Sequence, residues 1–169
     1  GALINYSDTP ISLTLNFGGN VTIDSVSTGG IINLSGYSCT SGNCNNGSNI
    51  TIIASVVNVT GKILSEGGSA KTGSGVTGYW SGTGGIIVIN ATTVYTGSNG
   101  EISVSSGYAV VSTANLAGGN AGTIYLNASL VNNTGILRAA GGSGGSTSDC
   151  VNQGGGNERG QRGNGGIIN

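Results

Sequence analysis

Apolar and polar residues alternate along this chain in short bursts, and the bursts return. The fullest one is Gly85-Ile86-Ile87-Val88-Ile89-Asn90-Ala91-Thr92. It comes back as Gly122-Thr123-Ile124-Tyr125-Leu126-Asn127-Ala128-Ser129, and appears earlier as Ser48-Asn49-Ile50-Thr51-Ile52-Ile53-Ala54-Ser55. A shorter copy is Gly19-Asn20-Val21-Thr22-Ile23-Asp24-Ser25, and another begins at Gly166-Ile167-Ile168-Asn169. Starts at 19, 48, 85, 122 and 166 are spaced by 29, 37, 37 and 44 residues. Repetition on this scale predicts stacked units, none of which buries its apolar face alone.

Aligned on those starts, Val21, Ile50, Ile87 and Ile124 share one column and Ile23, Ile52, Ile89 and Leu126 the next. Ser25, Ala54, Ala91 and Ala128 follow on the same side, where small residues suit a corner. Each copy leads through a second short apolar run to a glycine turn, at Thr28-Gly29, Thr60-Gly61, Asn99-Gly100 and Thr134-Gly135. A third strand comes next: Ile31–Leu34, Ile63-Leu64, Ile102–Val104 and Ile136-Leu137. Residues 1–18 read as the tail of a preceding coil, with Ile11, Leu13 and Leu15 alternating with Ser12, Thr14 and Asn16, and Pro10 at the strand's start.

The expected fold is therefore all-β: a parallel β-helix of about four coils, three short strands per coil, joined by Gly-rich loops. The whole of 1–169 forms one solenoid segment, expected to be a fragment of a longer chain. An antiparallel β-sandwich is the competitor, but it needs no aligned repeats.

Composition sharpens this picture. There are 35 glycines, one proline, no histidine, and charged residues make up 7% of the chain. A soluble domain carries about 25% charge and about 7% glycine. Disorder is nevertheless excluded, because 36% of residues are hydrophobic and gather in β-branched runs. A net charge of −1 gives no reason to expect nucleic acid or an anionic membrane as partner. No apolar run approaches the roughly 20 residues that span a bilayer, and no signal-peptide pattern opens the chain.

The pattern Gly-Gly-Ile-x-[Ile/Val]-x-Ala, followed by Gly-x-[Ile/Leu] and a Gly-rich excursion, resembles the pectin-lyase-like parallel β-helices of large extracellular surface proteins in protists, algae and bacteria. The resemblance spans roughly 19–169. It implies a secreted, often filamentous or adhesive scaffold. Enzymes of that architecture cluster Asp, Lys and Arg on one face, and this sequence departs from that pattern.

The excursions cover 36–47, 67–84, 107–121 and 141–165. Two readings stand open: surface loops, or glycine runs of several coils packed side by side as polyproline-II-like chains. Tyr79 and Trp80 interrupt the second excursion, suited to a sugar ring, a neighbouring subunit or their own coil. With the columns above facing inward, Ile53, Ile86, Val88 and Tyr125 face outward. A strand apolar on both faces predicts a cover, either a Gly-rich loop or another subunit, and self-association is expected.

Asn-x-Ser/Thr sequons occur at Asn5, Asn20, Asn33, Asn46, Asn49, Asn58, Asn90, Asn127 and Asn132. Asn90 and Asn127 fall in one outward column, and Asn20 and Asn49 in another. N-linked glycans in register would coat the solenoid, while an unglycosylated asparagine ladder is the plainer alternative. Cys39 and Cys44 suit a local disulfide in an oxidising compartment. Cys150 is left for an intermolecular or out-of-segment disulfide, or a free thiol. No cofactor or metal is expected, since histidine is missing and three cysteines lack zinc spacing. Nor do the Gly-rich turns carry the regular Asp of a calcium-binding repeat.

Catalysis is not expected. Without histidine, Ser-His and Cys-His nucleophiles are closed. Glu66 and Glu101, the carboxylates nearest a shared face, sit at different columns rather than across one bond. The reading is a structural segment of a secreted, N-glycosylated extracellular filament, appendage or surface coat. A carbohydrate-binding adhesin using Tyr79 and Trp80 is the alternative, and a polysaccharide lyase or hydrolase is the second.

Overall fold

The computed structural model describes residues 3–5, 10–24, 30–40, 42–70, 80–109, 118–143 and 164–169. They form fourteen strands: β1 (Leu3–Asn5), β2 (Ser12–Asn16), β3 (Asn20–Ile23), β4 (Ile31–Asn33), β5 (Asn49–Ile53), β6 (Val56–Val59), β7 (Lys62–Leu64), β8 (Ile86–Asn90), β9 (Thr93–Thr96), β10 (Glu101–Ser103), β11 (Thr123–Asn127), β12 (Leu130–Asn133), β13 (Ile136–Arg138) and β14 (Ile167–Ile168). No helix occurs among the described residues. All strand pairs are parallel, and each strand bonds the counterpart one turn along the chain. A first sheet holds β2-β5-β8-β11-β14, a second β3-β6-β9-β12, and a third β1-β4-β7-β10-β13. This is the expected parallel β-helix, and the uniform parallel pairing rules out the antiparallel sandwich.

Period-two alternation aims one face of each strand inward. Leu13, Ile50, Ile87 and Ile124 stand in one column, and Leu15, Ile52, Ile89 and Leu126 in its neighbour. Val57 and Val94 from the second sheet and Ile63 and Ile102 from the third close the core. Ile50, Ile52, Ile87, Ile89, Val57, Val94, Ile63 and Ile102 are fully buried, since a neighbouring rung stacks on either side of each. Ala54, Ala91 and Ala128 pack at the corner beyond the first sheet, as expected. Ser25 lies outside the described residues.

The first turn is phased differently from the expectation. Val21 and Ile23 pair with Val57 and Val59 of the second sheet, not with Ile50 and Ile52. The strand that opens this turn is β2, whose Leu13 and Leu15 oppose Ile50 and Ile52. Residues 12–16 are thus a first strand rather than a tail, and among the described residues the strand before it is β1 of the third sheet. With that correction the offset between turns along the first sheet and the segments entering it is 37 residues from the start, as Ile11 to Ser48 and Asn49 to Ile86 show. It lengthens to 44 only at Asn120 to Asn164. Proximity of the short Val-x-Ile run to the first-strand motif caused the shift, since both strands alternate alike. The turn glycines in register before the third strands are Gly30, Gly61, Gly100 and Gly135, flanking the paired Ile31, Lys62, Glu101 and Ile136. Gly29 is outside the described residues.

The excursions resolve in favour of packed glycine chains wherever they are described. Outgoing segments bond one another: Gly36 N–H to Glu66 O at 2.7 Å, Gly67 N–H to Ser105 O at 2.9 Å, Ser106 N–H to Ala140 O at 3.0 Å. Returning segments do likewise, through Gly47 N–H to Thr83 O at 2.8 Å and Gly84 N–H to Asn120 O at 2.9 Å. The two layers are then joined by Gly68 N–H to Asn45 O (2.9 Å), Gly107 N–H to Gly82 O (3.1 Å) and Gly142 N–H to Gly119 O (3.0 Å). Hydrogen bonds leave these chains in several directions rather than in one plane. Side chains recur on the same side every third residue: Ser35 and Ser38, or Asn43, Asn46 and Asn49, each accept a backbone N–H from the next turn. A repeat of three is that of a polyproline-II chain.

One column explains the need for glycine. A Cβ on Gly68, Gly107 or Gly142 would lie 1.9 Å from the carbonyl oxygen of Tyr37, Gly68 or Gly107, respectively, one turn back. Tyr37 heads the same column and carries a large side chain that is 64% exposed.

Candidate functional site

The outward columns carry the candidate chemistry. On the first sheet they are Asn49-Ile86-Thr123-Ile167, Thr51-Val88-Tyr125 and Ile53-Asn90-Asn127. Ile53, Ile86 and Tyr125 are exposed and Val88 is half-buried, so the outward parity expected for all four holds. On the second sheet Asn58, Tyr95 and Asn132 form one column, with Tyr95 40% exposed between the two amides. The third sheet carries Lys62, Glu101 and Arg138.

The nine sequon asparagines all sit at exposed or half-buried positions: Asn33, Asn58 and Asn90 are half-buried and the other six exposed. Asn90 and Asn127 do share a column, and Asn127 Nδ2 donates to Asn90 Oδ1 at 2.8 Å. Asn20 and Asn49 do not. Asn20 opens a second-sheet strand opposite Val56, whereas Asn49 opens a first-sheet strand opposite Ser12. This follows from the rephased first turn. Asn5 and Asn33 pair on the third sheet, and Asn58 and Asn132 flank Tyr95 on the second. Asn46 and Asn49 lie on the returning segment, with Oδ1 accepting from Thr83 N–H at 2.9 Å and Ile86 N–H at 3.3 Å. N-linked sugars attach at Nδ2, so those bonds leave the acceptor atom of glycosylation facing outward.

Cys39 and Cys44 form the expected disulfide, with Cα atoms 5.1 Å apart. It ties the end of the first outgoing segment to the start of its return. Cys44 N–H also bonds Trp80 O at 3.1 Å, so the crosslinked segment is tied to the backbone of Trp80 one turn along. Trp80 is 61% exposed, and its backbone N–H reaches Asn43 Oδ1 at 3.3 Å. Tyr79 and Cys150 lie outside the described residues.

The two carboxylates considered for catalysis have separate partners. Glu101 meets Lys62 Nζ at 2.8 Å, and Glu66 accepts from Ser103 Oγ at 2.5 Å. They are not brought together across a common gap by a shared hydrogen-bond partner. Ser65, in the third-sheet core column, is fully buried and donates to Ser48 O.

What sequence reasoning missed is the row made by the returning segments. Asn43, Asn46 and Asn49 in one turn are followed by Trp80, Thr83 and Ile86 in the next, then by Asn120 and Thr123. The signal was present as spacing by three ahead of each first strand, but only a search for period three rather than two would have found it. No protein-family model, curated protein or solved structure matches this chain.

Proposed function

We propose that this chain is a structural segment of a secreted, N-glycosylated filament, appendage or surface coat. The observation carrying the reading is that all three sheets and both glycine layers bond along a single axis. Every turn presents the next with backbone N–H and C=O groups in register, at about 4.8 Å per turn. Such a stack is extensible without new design, because each added turn buries the columns of the last. The half-buried and exposed sequons support a glycan coat on the outward faces, with the disulfide fitting an oxidising compartment. Sugars there would hinder side-to-side association of the sheets while leaving the axis free.

Electron microscopy of native material tests the filament, with regular fibres expected and isolated globular particles refuting it. Mass measurement before and after enzymatic glycan release tests the coat. An unchanged mass would remove it from the reading. A carbohydrate-binding role is the second reading, favoured by the exposure of Trp80.

A further inference from the structure

The charged residues of the described structure avoid one side of the molecule. Asp24, Lys62, Glu66, Glu101 and Arg138 lie on or next to the second and third sheets. Among the described residues, strands β2, β5, β8, β11 and β14 carry none, and neither do the stretches 42–48, 80–85, 118–122 and 164–166 that run into four of them. The outward side of the first sheet therefore continues without a charge into the row of Asn43, Asn46 and Asn49. From Trp80 to Asn90 this face measures about 30 Å at roughly 3.1–3.4 Å per residue. Across the turns of β5, β8, β11 and β14 it is about 15 Å wide.

We propose that this face docks an extended, neutral polysaccharide. Three features select that partner. First, an uncharged surface gives no advantage to an acidic polymer, a nucleic acid or a charged protein. Second, the amides are oriented by the fold. Asn43, Asn46 and Asn49 each accept a backbone N–H through Oδ1, and Asn120 does so from Asn164 at 2.9 Å. A backbone N–H requires an oxygen acceptor, so the amino group of each amide is what the row turns outward. The result is a line of donors spaced by three residues, about 9 Å. A polymer rich in hydroxyl and ring oxygens supplies the acceptors. A second copy of this face would set donors against donors.

Third, the aromatic platforms stand at opposite ends. Trp80 begins the row, and Tyr125, 36% exposed, lies one turn over and eight positions farther along the register. The separation is about 25 Å at roughly 3.1–3.4 Å per residue. Each ring offers an apolar plate to the hydrogen-bearing side of a sugar. Only a chain several sugars long reaches both, so affinity grows with polymer length. Asn46, Asn49, Asn90 and Asn127 are sequons on this same face, and glycans there would shield it. The docking deepens the carbohydrate-binding reading, does not require fibres, and needs these four sequons bare, with the glycan coat confined to Asn5, Asn20, Asn33, Asn58 and Asn132 on the second and third sheets.

The test uses the full chain made in a host lacking N-glycosylation, mixed with cellulose and with chitin powder. Retention on at least one polymer is expected, persisting at about 1 M NaCl, where screening acts within about 3 Å. Trp80→Ala combined with Tyr125→Ala is expected to lower the retained fraction about tenfold, with far-UV circular dichroism unchanged. Tyr95→Ala, an exposed aromatic on the second sheet, serves as the control and should leave retention intact. Failure to bind either polymer overturns the proposal. So does loss of binding in salt, or equal loss with Tyr95→Ala, which would mark mere aromatic adhesion.

Discussion

The three-sheet core and the glycine layers beside it are built on the same axis by opposite means. In the core, neighbouring turns are held in place by side-chain volume: Ile50, Ile87 and Ile124 stack with no solvent between them. In the glycine layers, position depends on side chains being missing, and carbonyl oxygens occupy the space a Cβ would need. The core excludes water by filling space, whereas the layers do so by bringing backbones together through hydrogen bonds between neighbouring chains. One consequence is that carbon atoms change stability with opposite sign in the two regions. Taking carbon away damages the core, and adding carbon damages the layers.

The largest effect should come from Ile87→Ala, at the centre of a column flanked by Ile50 and Ile124. Equilibrium denaturation should show a loss of about 2–5 kcal/mol, the transfer of the lost methyl groups plus the cavity they leave. A loss below 1 kcal/mol would mean that the column collapses to fill the gap. Next is Gly107→Ala, which adds a single methyl 1.9 Å from the Gly68 oxygen. Overpacking of this kind costs about 1–3 kcal/mol. Amide hydrogen exchange should speed up at Gly107 and at the bonded partners across the two layers. If exchange there is unchanged, the layers are not packed as described.

Replacing Cys39 and Cys44 by serine should lower stability by about 2 kcal/mol, the entropy of closing a short loop. The loss should be confined to the first excursion, leaving the midpoint of a probe in β11 nearly unmoved. The smallest effect sharpens the comparison most. At Gly18 an added Cβ meets nothing within 4 Å, so Gly18→Ala is expected to raise stability by about 0.4–1 kcal/mol through the unfolded chain. The same substitution would then act in opposite directions at Gly18 and Gly107. Destabilisation at both would show that backbone conformation, not close approach, retains the glycines.

Alternation and repetition were enough to specify the strands, their parallel stacking and the identity of the inward columns in the later turns. The reason is that a period of two commits a strand's face locally, and copies in register require the same face each time. Phase in the first turn was not decided locally, because Val21-Thr22-Ile23 alternates just as a first strand does. Only its partner across the turn, Val57-Asn58-Val59, assigns it to the second sheet. That assignment moved Asn20 away from Asn49, and the candidate columns with it. Likewise, glycine runs in sequence are compatible with a loose loop or a packed chain. The difference lies in carbonyl groups of residues 31 to 39 positions away in sequence, such as Tyr37 against Gly68 and Gly68 against Gly107. The disulfide was legible from spacing alone, since five residues hold both sulfurs within reach. The neutral face was not, because it joins a period-two strand to a period-three segment, and only the folded chain sets the two side by side.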